Sequence, residues 1–255
     1  MLQRFRLLAV MVISVLLSAQ ASAQMAAIRV FSDSPMAPAL KQIATLYHGQ
    51  SGHEVQLTVD LSPRIAQMVK DGEPGDVVII QPEFIKDLVD AKKLGAGEYP
   101  TIARIGIGLF TRATAPSPDV STVESFKSAL LDADSIVFSN VAAGNYFATV
   151  IERLGINEQI KLKIKRGRPP DVVSRIIQGN GKDIGVMVIT LINADPRLRL
   201  IGSLPGEFQR YLTYSAAPIV SSRAPGAAEQ FIRYLASSEA KVELAKAGAD
   251  SGANR

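Results

Sequence analysis

The chain contains no cysteine. Disulfide bonds, thiol nucleophiles, thiolate metal sites and the lipidated cysteine of bacterial lipoproteins are therefore excluded. Histidine is scarce as well, and the two present, His48 and His53, flank a helix-to-strand turn rather than a strand-to-helix junction. No metal-binding histidine pair, nucleophile elbow or phosphate loop occurs. The Gly-rich stretch "QGNGKDIG" (178–185) follows a helix instead of a strand, the wrong order for cradling phosphate. Charge of one sign is not in excess, with 28 Lys and Arg against 24 Asp and Glu interspersed along the chain. Without a basic stripe, nucleic acid is not an expected partner.

Long apolar runs are confined to the N-terminus. Met1–Arg6 carry Arg4 and Arg6, Leu7–Ala19 are apolar, and Ala21-Ser22-Ala23 is a small-x-small sequence. This reads as a secretory signal peptide over residues 1–23, cleaved between Ala23 and Gln24. An uncleaved anchor needs roughly 20 apolar residues, and no later segment reaches that length, so the mature chain is not expected to be membrane-embedded. Losing Arg4 and Arg6 takes the basic residues from 28 to 26 against 24 acidic, a net charge of +2. The expected product is an exported, soluble protein whose roughly 230 residues can bury a large core.

What remains alternates strand and helix. Strands are expected over Ile28–Phe31, Val55–Leu61, Asp76–Ile80, Ile105–Phe110, Asp134–Phe138, Asp183–Thr190 and Tyr211–Val220. Helices are expected over Met36–Tyr47 (ended by His48-Gly49), Pro63–Lys70, Glu83–Ala91, Thr122–Leu131, Tyr146–Leu154 and Asp171–Gln178, with one or two more in Ala227–Ala247. Ile65, Met68 and Val69 have the spacing of a buried helical stripe. The alternation predicts parallel sheets with helices packed on their faces. An internal echo strengthens this: the helix around Ile65–Val69 reaches Gly72 and then Asp76-Val77, as the helix around Val172–Ile176 reaches Gly179 and then Asp183-Ile184. Two similar α/β lobes would leave a cleft between them, and a glycine at each helix end would supply the left-handed residue.

In open parallel sheets ligands bind beyond the carboxyl ends of the strands. Three strand-to-helix junctions share a look: "FSDSPM" with Asp33 and Ser34, "DLSPR" with Ser62 and Arg64, and "FSNVAAGNYF" with Asn140, Ala143, Gly144, Asn145 and Tyr146. Ser-Pro is the usual N-cap and first-turn pair. The first-turn amides that remain point outward with the positive end of the helix dipole, so several converging ends make an anion site.

Taken in order, "VFSDSPMAPALKQIA", "RIAQMVKDGEPGDVVI", "NVAAGNYFATVIERLG", "IIQGNGKDIGVMV" and "AAEQFIRYLASSEAKVELAKAG" resemble the extracytoplasmic solute-binding proteins of ABC transporters, in the subgroup around the periplasmic molybdate-binding protein. The resemblance covers essentially the whole mature chain. It implies an α/β, two-lobe type II periplasmic-binding-protein fold, each lobe a mostly parallel sheet flanked by helices, with the ligand cleft between the lobes. The first lobe is expected over 24–103 plus 213–255 and the second over 104–212. A periplasmic location, a small anion as ligand, a membrane ABC permease as partner, a monomeric state and no metal or organic cofactor are also implied, as is closure of the lobes on the ligand.

The pocket residues depart from the molybdate pattern. The family's first serine aligns with Pro35 (Ser34 is adjacent), Ser62 matches the second, Ala143-Gly144 keeps the amide contribution, and a ligand-reaching tyrosine is replaced by Val188. Arg64, placed in a helix first turn where the backbone end is already positive, favours planar bidentate recognition of a carboxylate. The expected ligand-binding set is Ser34, Ser62, Arg64, Ala143, Gly144 and Asn145, with Asp33 and Arg104 as second choices. Asp33 could pair with Arg64, accept from a ligand hydroxyl or cap the following helix, and Arg166 and Arg168 are expected to face solvent. An organic carboxylate leads, with molybdate-like oxyanions as the rival. A second class of function is a periplasmic isomerase of an unsaturated carboxylate, because aconitate isomerase is related to the same family. Asp33, Ser34 or Tyr146 would then move a proton, which needs only one positioned acid/base.

Overall fold

The computed structural model describes residues 27–251. The expected signal peptide and its cleavage point lie outside the described residues.

The first lobe is built on the parallel strands β1 (Ile28–Asp33), β2 (Val55–Asp60) and β3 (Val77–Ile80). β1 lies between the other two, with Val30 opposite both Leu57 and Val77. All four residues of β3 are buried, as a strand covered on both faces requires, whereas the edge strand β2 is mostly exposed. Helices α1 (Ala37–Ser51), α2 (Ser62–Asp71) and α3 (Pro82–Asp90) follow these three strands in turn. The predicted stripe of α2 is buried, and Gly72 (φ +83°) ends that helix in the left-handed conformation. α1 runs past the expected stop at His48-Gly49 and ends instead at Gly52, whose φ of +75° lets its N–H reach the His48 carbonyl. Gly49 has no left-handed backbone and simply continues the helix.

The strand expected at 105–110 is the 12-residue β4 (Thr101–Arg112). Its first half, through Gly106, pairs antiparallel with β9 (Tyr211–Pro218), which in turn pairs with β3. From Ile107 onward it pairs with β7 (Asp183–Val188), and from Gly108 with β8 (Leu198–Ser203). β4 therefore belongs to both lobes. In the second lobe β5 (Ser135–Ser139) lies parallel between β6 (Ile164–Gly167) and β7. Its helices are α4 (Val123–Asp132), α5 (Ala142–Arg153), the short α6 (Asn157–Ile160), α7 (Pro169–Gln178) and α8 (Ile189–Asn193). The chain returns through residues 204–210, and Gln209 ties this segment to β4: its amide donates to the Ile107 carbonyl (3.1 Å) and its oxygen accepts from the Ile107 N–H (3.2 Å). The C-terminal segment forms two helices, α9 (Pro225–Leu235) and α10 (Ser238–Ala247), followed by β10 (Ala249–Ser251) on β4. The Ser237 hydroxyl separates the helices by accepting from the Ala240 N–H.

The internal echo holds at its aspartates and fails at one glycine. Asp76 is buried and accepts from the Arg29 N–H and the Ser222 hydroxyl, both at 2.8 Å. Burial works against its charge, but those hydrogen bonds and the Arg29 guanidinium outweigh it and hold its carboxyl below the ordinary carboxylate value. Asp183 accepts from the Ser135 hydroxyl at 2.5 Å and pairs with Arg112. Gly179, unlike Gly72, is extended (φ −66°), and a side chain there would overlap the Asp183 carboxylate. Among the described residues no helix is long and apolar enough to cross a membrane.

Candidate functional site

Parallel strands deliver their following helices to one edge of each sheet, and the two edges face each other across a cavity of about 380 Å³. β1 ends in Asp33 and the 3-10 turn Ser34–Met36, β2 leads through Leu61 into Ser62-Pro63, and β3 leads into Gln81 and the first turn of α3, with Glu83 and Phe84. From the second lobe come Ser139 and Asn140 after β5, Ala142, Ala143 and Asn145 of α5, Pro169 of α7, and the β7 end with Val186–Val188. β9 contributes Leu212 and Tyr214 to the wall. The cleft continues outward past Asp60 and Arg168.

The two Ser-Pro sequences do not cap as expected. Asp33 and Leu61 occupy the cap positions with extended backbone and no side-chain cap, and Ser34 and Ser62 are the first helical residues. The Ser62 hydroxyl is committed to another partner. It donates to Asp33 Oδ2 at 2.5 Å and accepts from the Gln81 N–H at 3.3 Å, joining all three first-lobe junctions. The side-chain donor to Asp33 Oδ1 among the described residues is the Ser34 hydroxyl, at 3.5 Å, and the Ser34 and Ser62 backbone amides also favour the charged form. Asp33 is 5% exposed, and burial raises its carboxyl pKa above the ordinary value against the opposing hydrogen bond from Ser62.

Of the residues expected from sequence, Asp33, Ser34, Ser62, Ala143 and Asn145 meet at the cavity. Four others do not line it. Arg64 is exposed on the outward side of the α2 first turn, because α2 turns Ser62, Ile65 and Ala66 inward instead. Arg104 is exposed on β4, its guanidinium 4.6 Å from the centre of the Tyr211 ring. Gly144 faces the strand behind it: an added Cβ would overlap the Ser139 carbonyl, so its smallness permits the close approach of α5 to β5. Tyr146 spends its hydroxyl on the Phe208 carbonyl (3.0 Å) under Arg210. Val188 lines the cavity, and Arg166 and Arg168 are exposed, although Arg166 also donates to Asn145 Oδ1 at 2.5 Å.

Sequence reasoning missed Tyr214, Glu83 and Gln81. "IIQPEF" and "GRPP" carry the same strand-then-Xaa-Pro pattern as the Ser-Pro junctions, so the α3 and α7 starts were open to recognition as parts of the cleft. Tyr214 had no such mark. It is fully buried, and its hydroxyl has no hydrogen-bond partner among the described residues. Burial, followed by the charges of Asp33 and Glu83, pushes its phenol well above the ordinary tyrosine value, so it stays protonated.

The inner wall contains no lysine or arginine. Positive potential there comes from backbone, chiefly the first turn of the 12-residue α5 at Ala142-Ala143, where small side chains leave the amides approachable. Such an arrangement can hold an anion by amides at one side and face it with a buried acid at the other. No group of three or more His, Asp and Glu side chains suited to a metal ion occurs among the described residues.

Two α/β lobes with strand ends converging on a shared cleft define the architecture of periplasmic binding proteins. Residues 28–250 match the model of the bacterial extracellular solute-binding protein family, and the chain belongs to that family. It is 26% identical over 229 residues to aconitate isomerase from a Pseudomonas species, covering 88% of this chain and 86% of that protein. The fold is shared with the periplasmic molybdate-binding protein of Azotobacter vinelandii (TM-score 0.69, 18% identity, 87% and 98% of the two chains). It is shared also with Peb3 from Campylobacter jejuni (TM-score 0.65, 14% identity, 88% and 99%).

Proposed function

We propose that this protein works in the periplasm, capturing a small organic carboxylate in its cleft and presenting it to a membrane ABC permease. The carrying observation is Asp33, a buried carboxyl on the wall of a cavity that lacks cationic side chains. A bare inorganic dianion would meet electrostatic repulsion there, whereas an organic acid can turn an anionic end to the α5 amides and an uncharged end to Asp33. A volume of about 380 Å³ falls in the usual ~300–1,000 Å³ range of small-molecule sites and leaves room for more than a tetrahedral oxyanion. In this reading the lobes close about β4 and residues 204–210, bringing α5 towards Ser34, Ser62 and Asp33.

The reading is tested by thermal shift with di- and tricarboxylates, molybdate, tungstate and sulfate, since a bound ligand raises stability by mass action. Stabilisation by one or more carboxylates is expected, and stabilisation by the inorganic oxyanions alone would sink the proposal.

A second reading is favoured by the same acid and by the 26%-identical aconitate isomerase. Asp33, with its raised pKa, could exchange a proton with a carbon beside a carboxylate of an unsaturated acid. Incubating cis- and trans-aconitate separately with substoichiometric protein distinguishes the two. Interconversion establishes the enzyme, and binding without turnover establishes the carrier.

A further inference from the structure

Tyr214 presents a problem that folding alone does not explain. A buried phenol hydroxyl ordinarily finds a partner, because leaving it bare forfeits the hydrogen bonds it made in water. Tyr214 is fully buried on β9, packs in the core with Leu212 and Ala216 on the same face of the strand, lines the cavity, and has no hydroxyl partner among the described residues. The same cavity wall holds a second group with an oxygen weakly engaged by side chains. Asp33 Oδ2 is taken by the Ser62 hydroxyl, while the one side-chain donor to Oδ1 among the described residues is the Ser34 hydroxyl at 3.5 Å. Both residues line the cavity, and the charges of Asp33 and Glu83 both act on the phenol.

The capacities left over are one O–H donor, on Tyr214, and one carboxylate acceptor, on Asp33, both on the wall of the same cavity. An inorganic oxyanion accepts from the phenol but is repelled by Asp33. An ammonium donates to Asp33 but has no lone pair for the phenol. A hydroxyl both donates and accepts, so one group satisfies both residues. We infer that Tyr214 and Asp33 form a hydroxyl-reading pole, and that the ligand is a hydroxy-carboxylate held by its carboxylate at the α5 first turn and by its hydroxyl between Tyr214 and Asp33. The inference rests on the carboxylate reading above and makes Tyr214 the residue that selects among carboxylates.

The test is calorimetric titration of wild-type protein and Tyr214→Phe with pairs differing by one hydroxyl: malate and succinate, citrate and tricarballylate, lactate and propionate. In the wild type at least one hydroxylated member is expected to bind about tenfold or more tighter than its partner. In Tyr214→Phe that ratio should fall to within about threefold, through weaker binding of the hydroxylated member alone. The ligand-free variant should melt no lower than wild type, because the lost hydroxyl has no protein partner. A preference that survives the substitution, absence of any preference, or a lower melting temperature of the ligand-free variant overturns the inference and leaves carboxylate binding standing. Failure of every carboxylate to bind, with molybdate or sulfate binding instead, removes the carboxylate reading and this inference with it.

Discussion

The Ser62 hydroxyl donates to Asp33 Oδ2 at 2.5 Å, linking the carboxyl ends of β1 and β2 through two residues 29 apart in sequence. Both side chains are buried, at 1% and 5% exposure, so neither can exchange the other for bulk water. The bond fixes one oxygen of the acid and leaves the other to the longer contact from the Ser34 hydroxyl. Its removal should be felt in stability and in binding together.

Ser62→Ala leaves Asp33 Oδ2 without its strongest donor and should destabilise the fold by about 1–3 kcal/mol. The Asp33 pKa should rise further, since a hydrogen bond favouring its charged form is gone. Chemical denaturation at neutral pH checks the first expectation, and carboxyl-resolved NMR titration checks the second. An unchanged denaturation midpoint would show that the short bond contributes little.

Asp33→Asn should stabilise the ligand-free protein at neutral pH, because burial makes the ionised acid unfavourable in the folded state. The folded pKa lies above the unfolded one, so Asp33 stabilises most below its unfolded pKa, and that contribution is lost as pH rises through the folded pKa. The advantage of Asn over Asp should therefore be larger at pH 7.5 than at pH values near the ordinary carboxyl value of 3.8. Paired melting curves across that range measure it, and the opposite trend would contradict the assignment.

Arg64→Ala should leave ligand affinity within about twofold of wild type, because this exposed arginine is outside the cavity wall. Titration with whichever ligand the thermal-shift panel identifies provides the measurement. A tenfold or greater loss would mean that lobe closure carries the guanidinium to the ligand.

Gly144→Ala should be costly without touching ligand. The new methyl would overlap the Ser139 carbonyl, and backbone cannot move aside as a side chain end can. A destabilisation of about 1–3 kcal/mol is expected, together with weaker binding as the α5 first turn shifts. Ala143→Gly, which relieves rather than adds bulk, should cost less, and equal costs would argue against the steric account.

The architecture was legible because it depends on local pattern. Alternating apolar strands and striped helices such as Ile65–Met68–Val69 declare themselves within a few residues, and the Xaa-Pro steps after strands mark helix starts. Elements with weak local patterns were harder: β6 lies within the charged "KIKRG", and β8 within "LRLIGS", and both are strands because they pair with β5 and β4. The junction residues Asp33, Ser34, Ser62, Ala143 and Asn145 could be named because parallel topology sends every strand end to the same edge. Arg64 shows the limit of that reasoning: a charge at a helix start looks directed at the cleft until the helix phase is known, and the apolar stripe of α2 turns it away.

By itself, the sequence determined the absence of thiol chemistry and the alternation of strands and helices, since these follow from composition and from periodicity along the chain, while the two-lobed plan came from the family resemblance. Only the tertiary structure decided that Ser62 serves Asp33 instead of capping a helix, that the inner wall has no cationic side chain, and that Tyr214 brings an unpartnered hydroxyl into the same cavity. Those three facts depend on burial and on distances between residues far apart in sequence, and burial and distance govern hydrogen bonding and charge.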